Sequence, residues 1–161
     1  MVLYHGSNTA IEQPRLIKQT RFLDFGSGFY TTENRGQAVA FAQKVYRRRD
    51  IGTPTVSVYE FDENAAFSVC SLLRFSVPDE AWLDFVFENR TGRYNGKHYE
   101  LIYGAVANDD IYETFNLYAS GILNKDETLK RLKIKKLYNQ LVFTTKQALS
   151  FLIFKDILIG G

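Results

Sequence analysis

Residues 26–32 read Gly26-Ser27-Gly28-Phe29-Tyr30-Thr31-Thr32, and whether this stretch is a phosphate loop or the start of a strand decides the fold. A dinucleotide-binding turn needs a third glycine three residues after the second, where a helix opens. Thr31 stands there instead, inside a β-prone run, which excludes a doubly wound nucleotide-binding sheet built on this turn. The glycines lead into a strand, Gly28 to Thr31. Gly26-Ser27-Gly28 also lacks the spacers of a nucleophile elbow, and no Walker sequence occurs in the chain.

After that strand, Glu33 to Arg49 place Ala38, Phe41, Ala42 and Val45 at helical spacing, with Thr32 as the expected cap. Arg47-Arg48-Arg49 fall in its last turn, where cations suit the helix dipole and read as a solvated end. Before it, Val2 to His5 form a short aromatic strand that stops at Gly6-Ser7-Asn8. Further on, Thr55 to Phe61 alternate as a half-buried strand, and Val69 to Phe75 are an apolar run of either type. Pro78 is expected to open a helix that ends near Asn89. A strand over Tyr99 to Ala107 then runs into the polar turn Asn108-Asp109-Asp110. Helices over Ile111 to Ser120 and Lys125 to Lys133 follow, then a strand from Leu137 to Thr144, a short helix over Lys146 to Phe151 and a closing strand over Phe154 to Ile159. Strands and helices mix without regular alternation, so the expected class is α+β with a mostly antiparallel sheet.

Composition narrows the function. A chain of 161 residues is read as one domain over 1–161. With 20 basic against 18 acidic residues, coating of a polyanion is disfavoured. The single Cys70 excludes an internal disulfide framework, and with His5 and His98 it falls short of a zinc ligand set, so no metal is expected. Nothing local favours a Ser-His-Asp triad around either histidine. No apolar run is long enough to span a membrane, and the first residues lack the pattern of a signal peptide, so the expected location is cytoplasmic. Phe, Tyr and Trp make up 15% of the chain. Most of these rings must be core, because burying one contributes roughly 1.5–3 kcal/mol.

Three segments nevertheless carry chemistry together. Tyr4-His5-Gly6-Ser7, then Gly28-Phe29-Tyr30-Thr31-Thr32 ahead of an Ala-rich helix, then Asn139-Gln140-Leu141-Val142-Phe143 resemble the three motifs of ADP-ribosyltransferases of the diphtheria-toxin and poly-ADP-ribose-polymerase class. That class is named for a His, a Tyr and a Glu on separate strands, with Gln replacing Glu in some members. Phe41 stands eleven residues after Tyr30, where such enzymes often carry a second ring. The chain is also similar to a bacterial family of small stand-alone proteins grouped with these transferases, on Gly104-Ala105-Val106-Ala107-Asn108-Asp109 and Asn139-Gln140.

The resemblance implies a split, two-sheet α+β fold with NAD as the substrate in a cleft between the His5, Tyr30 and Gln140 strands. The Gly6 backbone would bind the nicotinamide amide, His5 a ribose hydroxyl, and Ser7 would add a hydrogen bond. Tyr30 and Phe41 would flank the nicotinamide ring. Gln140 would stand in place of the catalytic carboxylate. A neutral amide opposes the developing ribose cation less well than a carboxylate, a loss on the order of 10²–10³ in rate, unless Glu33, Glu100 or Asp109 restores the charge. The expected activity is mono-ADP-ribosyl transfer to a protein or nucleic-acid acceptor. A toxin or defence effector with a neutralising partner would fit it. A non-catalytic NAD-binding module and an NAD glycohydrolase are the alternatives.

Overall fold

The alternation seen in Thr55–Phe61 becomes a strand over its whole length in the computed structural model. The structure describes residues 1–17, 23–107, 109–133 and 138–159. In chain order the strands are β1 Val2–Ser7, β2 Phe29–Thr32, β3 Thr55–Phe61, β4 Leu72–Arg74, β5 Leu101–Ala105, β6 Asn139–Phe143 and β7 Leu152–Ile159. The helices are α1 Arg35–Arg49, α2 Glu63–Val69, α3 Glu80–Arg90, α4 Asp109–Ala119, α5 Lys125–Lys133 and α6 Lys146–Leu149. The strands form one sheet in the order β4-β5-β6-β2-β1-β3-β7. Every neighbouring pair is antiparallel except β4 and β5, which are parallel and joined by a crossover through α3. The fold is therefore α+β and mostly antiparallel. Where two sheets were expected, the strands join into one, and the join is narrow: β1 meets β2 at the single register pair Tyr4↔Thr32.

Local chemistry moves several boundaries. Asn34, not Thr32, caps α1, its side chain accepting from Gln37 N–H at 2.7 Å. Thr32 stays extended because it pairs with both Tyr4 and Gln140, and its Oγ1 accepts from Asn34 N–H at 3.1 Å. Asp79, one residue after Pro78, caps α3 by accepting from Trp82 N–H at 3.0 Å. The ambiguous run Val69 to Phe75 divides, because Asp62 caps a helix that ends at Val69, and Leu72–Arg74 then pair with β5. The expected turn at residues 108–110 gives way to a helix from Asp109, while Asn108 and Leu137 lie outside the described residues.

Cross-strand partners share a face of the sheet. Leu3, Phe29, Tyr59, Leu101, Leu141 and Phe143 bury one face. On the other, Ile102 and Val142 pack with Phe25, Trp82, Val86 and Phe115, while Ala38 and Ala42 of α1 close over Val56. Trp82 Nε1–H reaches Ala105 O at 2.9 Å, which fixes α3 against the end of β5.

Candidate functional site

The two edges of β1 differ. Toward β3 it pairs at every residue from Val2↔Glu60 to Ser7↔Thr55. Phe61 N–H donates to Met1 O at 2.8 Å, so the odd residues of β1 turn their backbone groups to β3, and Tyr4 and Gly6 turn theirs toward β2. Tyr4 meets Thr32 there. The same register would set Gly6 against Tyr30, but the ladder stops short of it. His5 Nδ1 lies 2.6 Å from the Tyr30 carbonyl oxygen, the atom an unbroken ladder would offer to Gly6 N–H. A ring nitrogen stands where a backbone donor would, and Gly6 has no register partner on β2.

Gly6 is also where α1 comes closest to the sheet. A Cβ there would lie 2.2 Å from Ala38 O and 2.7 Å from Ala42 N. Only a residue without a side chain lets the helix rest on the strand beside the seam.

A carbonyl can only accept, so His5 Nδ1 carries the proton and Nε2 keeps its lone pair. The ring stacks on Phe29 at 4.2 Å between centroids. Burial pushes the imidazole pKa down from 6.5 to about 4; the Tyr30 carbonyl opposes this and the Arg49 charge adds to it. A neutral His5 therefore acts as a hydrogen-bond acceptor for a hydroxyl, not as a cation. The folded pKa lies below the unfolded one, so the unfolded chain binds more protons as pH falls from about 6.5 to about 4. Stability is unaffected by this group above that window and falls within it, by up to about 3 kcal/mol. Urea unfolding at pH 7 and pH 4.5 should show this loss in the wild type and a smaller one in His5→Gln. Equal losses in the two proteins would show that His5 is not the buried neutral group.

Tyr30 is half-buried, and its ring packs against the cluster around Val142. Its hydroxyl accepts from Phe25 N–H at 2.9 Å and donates to Gly26 O at 2.6 Å. Burial, and then the Asp24 carboxylate, push the phenol far above its usual range. The same turn is braced by Asp24, which pairs with Arg90 Nε at 2.5 Å and accepts from Ala107 N–H at 3.0 Å. Sequence reasoning missed this pair. Its members stand 66 residues apart, and no local spacing links them.

Phe41 lies on the flank of α1 that faces β2. Thr32 Oγ1–H donates to Gln37 Oε1 at 3.2 Å, and Phe41 is one turn further along the same side. It is 44% exposed, which is unusual for a large ring and leaves its face open beside the seam. Ser7, by contrast, is buried with its hydroxyl on Asn8 Oδ1 at 3.3 Å. The structure thus joins His5, Gly6 and Tyr30 at the seam, sets Phe41 on its α1 rim, and turns the Ser7 hydroxyl toward Asn8.

Gln140 pairs with Thr32 on one side and Gly104 on the other, which puts it on the face that carries Tyr30. It is 6% exposed, and its Nε2 is buried with no hydrogen-bond partner among the described residues. An unmet buried donor costs about 1–3 kcal/mol, a cost that an acceptor on a ligand would remove. Of the carboxylates expected to assist it, Glu33 and Glu100 are turned elsewhere. Glu33 accepts from Tyr103 Oη at 2.9 Å, and Tyr103, paired with Leu141, belongs to the opposite face. Glu100 accepts from Thr145 Oγ1 at 2.7 Å, near the far end of β5. The side chain of Asp109 lies outside the described residues.

Residues 1–154 match the family described as protein of unknown function (DUF3990). The chain belongs to the DUF3990 family. No curated protein and no solved structure matches it. The DUF3990 match spans His5, Gly6, Tyr30, Phe41 and Gln140, so the seam lies within the part of the chain that the family defines. Among the described residues, no group of three or more His, Cys, Asp or Glu side chains could hold a metal ion, and no helix is long and apolar enough to cross a membrane.

Proposed function

We propose that this DUF3990 chain transfers a single ADP-ribose from NAD to a macromolecular acceptor, with the opened seam between β1 and β2 as the nicotinamide site. One observation carries the reading: on one side of Tyr30 the β1–β2 ladder stops before Gly6, and on the other Gln140 Nε2 is buried with no hydrogen-bond partner among the described residues. A primary carboxamide needs one donor and one acceptor side by side, and a glycine backbone supplies both at close approach. The narrow join at Tyr4↔Thr32 supports taking the sheet as the two halves of the split ADP-ribosyltransferase fold.

His5 Nε2, from the Phe29 face of the sheet, accepts from a hydroxyl of the nicotinamide ribose where β1 and β2 part, and Gln140 Nε2, from the opposite Tyr30 face, donates to a ribose oxygen. Tyr30 and Phe41 supply apolar surface to the leaving ring. In the reaction the bond from ribose C1′ to the nicotinamide nitrogen breaks, and nicotinamide leaves with the bonding pair as a neutral molecule. The acceptor's nucleophilic atom bonds to C1′ and loses its proton to solvent. Gln140 opposes the ribose cation only with a dipole, so turnover is slow. The acceptor, a protein or a nucleic acid, and a neutralising partner of a toxin or defence effector rest on the resemblance alone.

Glu33 and Glu100 being held elsewhere favours a second reading, a module that binds NAD without cleaving it. Nicotinamide release from labelled NAD separates the two. Gln140→Glu should raise release by about 10-fold or more and Gln140→Ala should lower it. If both variants fold and bind NAD while leaving a measurable wild-type rate unchanged, Gln140 is not at the reacting ribose. Binding without any release, in the wild type and in Gln140→Glu alike, would establish the module instead.

A further inference from the structure

We infer that Arg49, held by Asn8 just past the end of β1, is an anion subsite that takes the diphosphate of the dinucleotide. The inference rests on the NAD reading above and extends it from the nicotinamide end to the phosphates.

The helix that roofs the seam carries Arg35, Lys44, Arg47, Arg48 and Arg49 and no acidic residue, in a protein whose net charge is only +2. Among these cations Arg49 has a built position. Its Nη1–H donates to Asn8 Oδ1 at 3.0 Å. Asn8 is 8% exposed and is itself fixed: its Nδ2–H donates to Ile51 O at 2.9 Å, and its carbonyl accepts from Thr53 N–H at 2.9 Å. Gly52, at φ 85°, packs so closely that a Cβ would lie 2.2 Å from Asn8 O. The support for Arg49 is thus a neutral amide clamped from three sides, and among the described residues the guanidinium makes no ion pair with a carboxylate. Its charge remains available to a ligand, and the fork keeps further N–H donors for phosphate oxygens.

Position agrees with ligand shape. Asn8 follows Gly6 by two residues, on the order of 7 Å along extended chain. That separation is of the order of one sugar, the distance that parts a nicotinamide from its diphosphate. The Arg49 charge is felt at the His5 ring, so the two groups address one neighbourhood.

Calorimetric titration of NAD, ADP-ribose and nicotinamide into wild type, Arg49→Ala and Arg47→Ala tests this. Arg47, whose guanidinium lies on Gln43 at the same helix end, controls for general charge. Arg49→Ala should weaken NAD and ADP-ribose by about tenfold or more, flatten the salt dependence of both, and leave nicotinamide unchanged. Arg47→Ala should leave all three near wild type. If Arg49→Ala does not fold, Arg49→Gln, which retains a donor for Asn8 Oδ1 without the charge, takes its place. ADP-ribose binding unchanged in a folded Arg49 variant, with NAD still binding wild type, overturns the subsite and leaves the nicotinamide site standing. An equal loss for nicotinamide and ADP-ribose also overturns it, because the effect would then come through the seam. If wild type binds neither NAD nor nicotinamide, the nicotinamide site itself fails and takes the subsite with it.

Discussion

Asp24→Ala should destabilise the protein by about 3 kcal/mol, the lower end of the range for removing one member of a buried ion pair, because the Arg90 side chain stays 23% exposed. The substitution takes away the 2.5 Å contact to Arg90 Nε and the acceptor for Ala107 N–H. Arg90 also contacts Ala107 O at 3.2 Å and lies 4.9 Å from the Phe115 ring, so the loss expected is that of the Asp24 carboxylate and its two hydrogen bonds. Asp24→Asn, which retains an acceptor, should lose less. The turn pinned by Tyr30 Oη at Phe25 and Gly26 sits directly beyond Asp24, so on the proposed NAD reading the folded Asp24→Ala protein should also bind NAD more weakly. A loss under 1 kcal/mol for Asp24→Ala would show that the pair contributes no more than an exposed one.

Gly6→Ala should be of similar size for a different reason. The added methyl would meet backbone on α1, Ala38 O at 2.2 Å and Ala42 N at 2.7 Å. No rotamer change can relieve a clash between main chains, so the helix must lift from the strand. Overpacking usually costs about 1–3 kcal/mol and more where the neighbours are rigid; about 3 kcal/mol lowers the melting temperature by roughly 6–12 °C in a domain of this length. Gly36→Ala, on the first turn of the same helix, is the contrast. Its nearest neighbour would be Asn34 Oδ1 at 3.4 Å, and alanine should stabilise it by about 0.5–1 kcal/mol. If Gly6→Ala melts with the wild type, α1 does not rest on β1 as described.

Periodicity made α1 and β3 legible, because Ala38, Ala42 and Val45 record the buried stripe of α1 and the alternation of Tyr59 and Phe61 with Val58 and Glu60 records the strand. The order of strands in the sheet was not legible. The parallel pair β4–β5 joins a three-residue strand to a partner nearly 30 positions away, and pairing of that kind leaves no mark on local spacing. At the site, Tyr4-His5-Gly6 and Gly28 to Thr31 announced a strand end and a strand, and the two meet one residue beyond the second, at Tyr4↔Thr32. Their chemistry was less visible. That His5 would cap the Tyr30 carbonyl rather than point away depends on register. That the Gln140 Nε2 would be buried without a partner among the described residues depends on which residues of β2 and β5 flank it. Phe41, counted among the apolar positions of α1, lies on the rim of its buried stripe and is exposed, because Ala38, Ala42 and Val45 already fill the contact with the sheet.

The narrow join between β1 and β2 has a topological consequence. On one side of it stand β1, β3 and β7, and on the other β2, β4, β5 and β6. The chain passes from the first group to the second after β1, back after β2, over again after β3 and back once more before β7. Neither half is a continuous segment, so no single cut frees one from the other, and neither can be expressed alone. The seam is joined by one register pair yet threaded shut by the chain itself, and prying it apart means unfolding both halves in one step.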